Sequence, residues 1–396
     1  MVYSTRIEDY LSAIQGCDAF FVAEREYGRI INYRQMGNDV FPDPASAPDA
    51  ETARLWALRR QCRGLIFNLA GDVISLGFEK FFNLGERTET LLENIPFDLP
   101  HVIMEKLDGS MIRPVPMPDG GYRLGTKMGL TDVAQQPEAW VARHLNYDRF
   151  LRDCVSEGLT PLMEWCSRKQ RIVIDYPEDR LVLLAVRDVR TGEYLPLNMM
   201  LELAGEYGVE TVRRYEGTPD SMQHLIDETR GILDQEGWVV AWPHLRVKIK
   251  GEQYVAVHRA KEGILRENAV IEMMLDEKLD DVKAFLPSED RENLERFEAD
   301  FWNGVNHTAG KWQLAYLDVK SQFGADRKGF ALDWAPKFES NLRGTIFKAW
   351  DDPQFNFREA VLQAVRKGTT TQVKTDENRH LWGSARWCMH GVEDES

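Results

Sequence analysis

Lys106 follows the apolar run Val102-Ile103-Met104, and Asp108-Gly109-Ser110 begins one residue after it. An apolar run closed by Asp-Gly reads as a strand meeting a tight turn, which would hold the Lys106 amine at the lip of a sheet. The chemistry on offer is nucleophilic attack by an amine. A free lysine has a pKa of ~10.4, so only about one in 2,500 is neutral at pH 7. Burial and nearby positive charge both favour the neutral form. Lys248 and Lys250, in VKIK, are the obvious source of that charge. Alternate strand residues share a face, so these two point together while Val247 and Ile249 point the other way. Two lysines on one face suit a phosphate; a solvated sheet face is the competing reading. Further charged residues fall on expected strands: Arg63 in CRGLIF, Lys80 in EKFFN, Lys127 in GTKMG, Glu164 in LMEWC and Glu236 in EGWVVAW.

The elements that must position these groups are legible from period and punctuation. CRGLIFN and DVISLGF flank Ala70-Gly71-Asp72 as a hairpin, and MIRPVPM and YRLGTKM flank Pro118-Asp119-Gly120-Gly121 as another. Further strands are expected at 161–166, 181–186, 238–242 and 245–250, and helices at 135–157, 197–208 and 219–234. Residues 1–60 are mixed, with a loop-like stretch at 41–48. Near 255–262 strand signals fade, and apolar residues three and four apart take over. The expectation is an α+β fold: antiparallel sheets with flanking helices over residues 1–260, then an all-helical domain over 261–396.

Composition excludes several classes. The chain has 396 residues, 43% hydrophobic and 29% charged, with no stretch approaching the ~18 apolar residues of a membrane span. MVYSTRIEDYLSAI has no apolar core of a secretory signal. Five scattered cysteines form neither C-x-x-C nor a disulfide framework, so a reducing cytoplasm is the expected compartment. Cys62 is expected to be a packed thiol. The eight histidines lack H-x-x-x-H spacing, and no G-x-x-x-x-G-K-[ST] loop appears. The net charge of −15 is evenly spread: 10 basic against 15 acidic in 1–100, 20 against 24 in 101–260, and 19 against 25 in 261–396. Any phosphate-binding surface must therefore be a local cluster of cations.

Taken in order, CRGLIFN, EKFFN, KLDGS, the basic G-x-K, the strand bearing Glu164, RIVIDYPEDRLVLLAVRDVRTGEYL, EGWVVA and VKIK resemble the covalent nucleotidyltransferase motifs of ATP-dependent RNA ligases of the bacteriophage T4 RNA ligase 1 type. The resemblance spans roughly residues 30–260, and DRKGFALDW at 326–334 extends it faintly. It implies a nucleotidyltransferase domain and a three-step reaction. Lys106 attacks the α-phosphate of ATP, AMP passes from the lysine to an RNA 5′-phosphate, and a 3′-hydroxyl displaces AMP to seal the strand. It implies Mg²⁺ (or Mn²⁺) at Glu236, and Lys248 and Lys250 on the α-phosphate. Lys80 and Lys127 would lie toward pyrophosphate or RNA phosphate, with Arg63 and Glu164 toward the ribose. Tyr33 and Phe82 align with positions near the nucleotide. Asp108 and Gly109 are expected to shape the turn. The implied partners are ATP and RNA, broken tRNA included, acted on by a monomer.

Two positions depart from the family pattern. Leu107 stands where an acidic residue is usual, and the strand VLLAVRDV lacks an aromatic at the base-stacking position. A capping guanylyltransferase or a DNA ligase of the same superfamily would carry a β-rich domain after these motifs, whereas 261–396 reads as helical. A non-catalytic RNA-end binder would be expected to lose Lys106, Glu236 or the Lys248/Lys250 pair. The tail 379–391 interleaves Arg379, Trp382, Arg386 and Trp387, a pattern that stacks on RNA bases or, more commonly, anchors a terminus by packing.

Overall fold

The structure, a computed structural model, describes residues 2–34, 40–217, 219–352 and 354–389. It divides into two compact units, Met1–Val255 and Ala256–Ser396. Among the described residues no helix is long and apolar enough to cross a membrane.

The first unit is built on three four-stranded sheets. One has the antiparallel order β1 (Phe20–Arg25), β2 (Gly28–Tyr33), β3 (Leu65–Phe67), β4 (Val73–Ser75). It packs with α1 (Ile7–Ile14) and α2 (Ala50–Gln61) around buried Tyr10, Leu58 and Phe67. Asp49 caps α2 by accepting from the Thr52 amide at 2.8 Å. The expected Gly71 hairpin joins β3 to β4. Residues 41–48 hold one 3₁₀ turn, Pro44–Ser46.

A second sheet has the order β10 (Arg180–Asp188), β9 (Leu159–Cys166), β7 (Ser110–Pro116), β8 (Tyr122–Gly125). Its Trp165, Leu181 and Leu183 are buried against α3 (Gln135–Val141), α4 (Leu145–Ser156) and α5 (Leu197–Tyr207). The single helix expected over 135–157 is broken at 142–144, which holds neither Gly nor Pro. His144 leaves the helical backbone (φ −123°, ψ 78°), and its ring stacks on Trp140 at 3.6 Å.

The third sheet carries the chemistry. Its order is β5 (Phe82–Asn83), β12 (Arg246–Lys250), β11 (Gly237–Ala241), β6 (Val102–Lys106). β12 runs antiparallel to β11 and parallel to β5. Ile103, Trp238, Val240, Val247 and Ile249 bury one face against Met222 and Leu225 of α6 (Met222–Arg230). With that face fixed in the core, period-two alternation commits the other face to a cavity.

The second unit is helical, as the change of period predicts. α7 (Glu252–Gly263) leads into α8 (Glu267–Leu275), α9 (Leu279–Lys283) and α10 (Ser288–Phe323). Leu294, Phe297, Phe301, Val305 and Trp312 of α10 recur at helical spacing and are buried. Beyond come α11 (Arg327–Gly329), a π-type turn at Phe330–Trp334, α12 (Ser340–Asp351), α13 (Phe357–Gly368) and α14 (Gln372–Asn378). Trp382 and Trp387 are buried beside Phe301 and Phe297, and the Trp387 indole N–H donates to the Ile264 carbonyl. The tryptophans of the tail are therefore core residues; its last two positions, 390 and 391, lie outside the described residues.

Candidate active site

Register brings the lysines together. Gly237 of β11 pairs with Lys106 on one side and Lys250 on the other, and Val239 pairs with Met104 and Lys248. Residues 144 apart in sequence thus share one sheet face. Gly237 is required between the two lysines: its φ is +143°, and a Cβ there would lie 2.0 Å from the Ile249 carbonyl oxygen. Glu236, one residue earlier and 3% exposed, places Oε2 2.6 Å from Lys106 Nζ and Oε1 2.9 Å from Lys250 Nζ. One carboxylate thereby fixes two ammonium groups.

The turn after Lys106 is braced from within. Asp108 Oδ2 accepts from the amides of Val173 and Ile174, both at 2.7 Å, and Oδ1 accepts from the Tyr254 hydroxyl at 2.6 Å. Gly109 donates its amide to Glu164 Oε1 at 3.1 Å, and a Cβ there would sit 2.2 Å from the Trp165 carbonyl oxygen. Both residues shape the turn, as expected. Leu107 is buried with Cys166, Tyr176 and Val182. It also lines the cavity described below.

A cavity of about 920 Å³ opens on this face, near the upper end of the ~300–1,000 Å³ range of ligand pockets. Lys106, Lys248, Lys250, Glu164, Arg63, Lys80, Lys127 and Tyr33 all line it. Glu236 lies behind the wall, held by its two lysines. Burial, then Lys80, Lys106 and Arg63, push Lys248 down to about 7. Burial likewise lowers Lys80, against the pull of Tyr33 and Glu86. Burial pushes Glu164 up to about 8; Lys106 opposes the rise, and Glu236 and Asp108 add to it. Among the described residues Arg63, Lys80, Lys127 and Lys248 have no carboxylate partner. Instead Lys127 lies 5.5 Å from the Tyr33 ring and Lys248 5.0 Å from the Phe81 ring. The cavity is thus lined by cations in excess, an arrangement that holds phosphate beside an amine.

Phe82 is corrected. It is 1% exposed, buried in the first core, and it is absent from the cavity wall; its neighbour Phe81 stands there. Adjacent residues of an extended segment face opposite ways, so a match to EKFFN could not choose between the two rings. Lys80 Nζ lies 5.0 Å from the buried Phe82 ring, which gives Phe82 a place beneath the site.

A network on the same wall went unread in the sequence. Arg246, on the face of Lys248 and Lys250, donates Nη1 to Glu79 Oε1 at 2.9 Å and lies 3.5 Å from the Tyr194 ring centre. The Tyr194 hydroxyl donates to Glu79 Oε2. Burial raises Glu79, and Arg246 and Arg187 outweigh it, so the carboxyl titrates below its ordinary value. The alternation that paired Lys248 with Lys250 extends to Arg246 and could have found it. Arg113 carried no such signal: fully buried, it donates to the Gly64 carbonyl behind Arg63, and burial lowers it to about 9.

The fold and site define a lysine-centred, cation-lined cavity. The sequence model of the RNA ligase family matches residues 61–254. The chain is similar to the "Putative RNA ligase" of Thermovibrio ammonificans, 29% identical over 332 residues that cover 80% of this chain and 82% of the relative. It is also similar to the "RNA ligase" of Rhodothermus phage RM378, 22% identical over 347 residues, 68% of this chain and 77% of the relative. Among solved structures, an archaeal ATP-dependent RNA ligase aligns at 17% identity and a TM-score of 0.45, covering 69% of each chain.

Proposed function

We propose that the chain is an ATP-dependent RNA ligase acting through a covalent lysyl-AMP on Lys106. Residues 1–260 would form the adenylyltransferase domain and 261–396 a separate helical domain. The observation that carries this reading is the meeting of Lys106, Lys248 and Lys250 around Glu236 on one wall of a nucleotide-sized cavity.

In the first step the neutral Lys106 amine attacks the α-phosphorus of ATP. An N–P bond forms, the bond from that phosphorus to the bridging oxygen breaks, and pyrophosphate leaves with the electron pair. The proton that Lys106 must first lose has an acceptor within hydrogen-bond reach, Glu236 Oε2. Lys248 and Lys250 stabilise charge developing on the α-phosphate oxygens. Lys80 and Lys127 face the outgoing pyrophosphate or the RNA 5′-phosphate, with Tyr33 beside Lys127 and Arg63 toward the ribose. Glu164, with a pKa of about 8, is mostly protonated at pH 7 and offers the ribose both a donor and an acceptor. No ring stands on β10 to stack the base; Leu184 and Ala185 of β10 and Val239 of β11 give it aliphatic walls.

In the second step an oxygen of an RNA 5′-phosphate attacks the α-phosphorus, the P–N bond breaks, and Lys106 recovers a proton. In the third, a 3′-hydroxyl attacks the activated 5′-phosphorus, loses its proton, and AMP departs. The described residues hold no cluster of three or more His, Cys, Asp or Glu side chains. A Mg²⁺ or Mn²⁺ ion would therefore be held by Glu236 and mainly by substrate phosphates and water, which is normal for Mg²⁺. Bound there, it would supply positive charge that competes with Lys106 for Glu236. The resemblance points to broken tRNA as substrate and to a monomer.

Incubation with ATP radiolabelled at the α-phosphorus and Mg²⁺, wild type beside Lys106→Ala, followed by denaturing electrophoresis, tests this reading. A labelled band lost in the variant is expected. Label from GTP alone would move the reading to capping, and no label from either would leave a non-catalytic RNA-end binder.

A further inference from the structure

The Arg246 end of the cavity has no role in the steps above. Arg246 is 8% exposed and held rigidly by Glu79 and Tyr194, yet its Nε is buried without a hydrogen-bond partner among the described residues. Beside it, Phe78 and Phe81 also line the cavity, half-buried, in an edge-to-face pair with centroids 5.8 Å apart. Phe81 lies 5.0 Å from the Lys248 ammonium, so a group one nucleoside away from a phosphate on Lys248 falls at these rings.

We propose that Phe78, Phe81 and Arg246 form a second nucleotide subsite, which receives the first nucleoside of the RNA strand whose 5′-phosphate attacks the lysyl-AMP. The base stacks on the phenyl rings, and the Arg246 guanidinium, which lines the cavity, donates to a ribose or base oxygen. The proposal rests on the ligase reading, because it takes the attacking 5′-phosphate to lie next to the α-phosphorus that Lys248 holds. A stacking shelf reads only the π-face, so the subsite accepts any base. Glu79 and Tyr194 act as positioning residues that keep Arg246 from swinging into solvent.

The test uses the full chain and two 5′-phosphorylated oligoribonucleotides, one intact and one abasic at its first nucleotide. Binding is read by fluorescence anisotropy, and labelling by ATP alone is read separately. Wild type is expected to bind the abasic strand about tenfold more weakly, and Phe81→Leu to bind the intact strand about tenfold more weakly with no further loss on the abasic one. Phe78→Leu should behave alike. Arg246→Lys, which keeps a cation for Glu79, should weaken both strands or the intact strand alone, according to whether the guanidinium meets ribose or base; unchanged binding of both strands overturns the part given to Arg246. Equal binding of the intact strand by wild type and Phe81→Leu overturns the proposal, as does an undiminished abasic penalty in Phe81→Leu. A loss of ATP labelling in Phe81→Leu as large as its loss of RNA binding assigns the ring to the ATP site and overturns it too. An unlabelled wild type that still shows the abasic penalty sinks the ligase reading and leaves the subsite standing.

Discussion

Glu236 in the first unit and Glu267, the partner of Arg379, in the second are both buried ions, and the charge around them is balanced in opposite ways. Arg379 meets carboxylates in excess: Glu267 takes both Nη atoms in a fork, and Asp376 adds a contact at 2.7 Å. Both Nη atoms are taken by carboxylates, and the group ties α8 to α14. Around Glu236 the cations are in excess, with Lys106 and Lys250 on one carboxylate and four further cations on the wall without carboxylate partners among the described residues. A closed ion group specifies packing, whereas an open one stores repulsion that a polyanion relieves. Charge balance separates structural from functional ions here better than burial does, since both are buried.

The contrast can be broken at several points. Lys106→Ala or Lys106→Arg should abolish labelling by α-labelled ATP, a loss of at least ~10³-fold, because the covalent bond to AMP is assigned to the Lys106 amine. Lys248→Met should slow labelling by about 10²–10³-fold, the usual effect of removing one donor from a developing oxyanion. Its thermal stability should be unchanged or higher, since the change removes a buried cation that has no carboxylate partner. Arg379→Met should do the reverse. It strands Glu267 and costs about 3–5 kcal/mol in denaturant unfolding, while protein that remains folded keeps its labelling rate.

Smaller effects follow from pH. Glu164 has a native pKa of about 8 against 4.5 when unfolded, so the native state binds more protons between those values. Its contribution is therefore present below pH 4.5 and is lost as pH rises toward 8. Glu164→Gln, which keeps the acceptor for the Gly109 amide, should raise stability by about 1–2 kcal/mol at pH 8.5 and change it little at pH 4.5. Smallest of all, ATP binding should take up a fraction of a proton near pH 7.5. Lys248, depressed to about 7 in the free protein, becomes charged beside phosphate; calorimetry in buffers of different ionisation enthalpy reads this, and Lys248→Met should remove it.

The β-hairpins, the strands bearing Lys106 and Lys248, the strand that follows Glu236, and the switch to helix were readable because each depends on a local period and on Gly or Pro punctuation. The break at 142–144 was not, because a Trp140–His144 stack and no breaker residue defines it. The choice between Phe81 and Phe82 was not, because a motif match gives neighbours in sequence equal standing.

By itself the sequence determined which residue types could do chemistry, and alternation on β12 determined that Lys248 and Lys250 would face together. Tertiary structure decided the register that sets Gly237 between Lys106 and Lys250, and that one glutamate holds both. It decided that Asp108 is spent on bracing the turn and that Arg246 joins the wall. Strand pairing and desolvation depend on residues more than a hundred positions apart, and no local pattern encodes the distance between them.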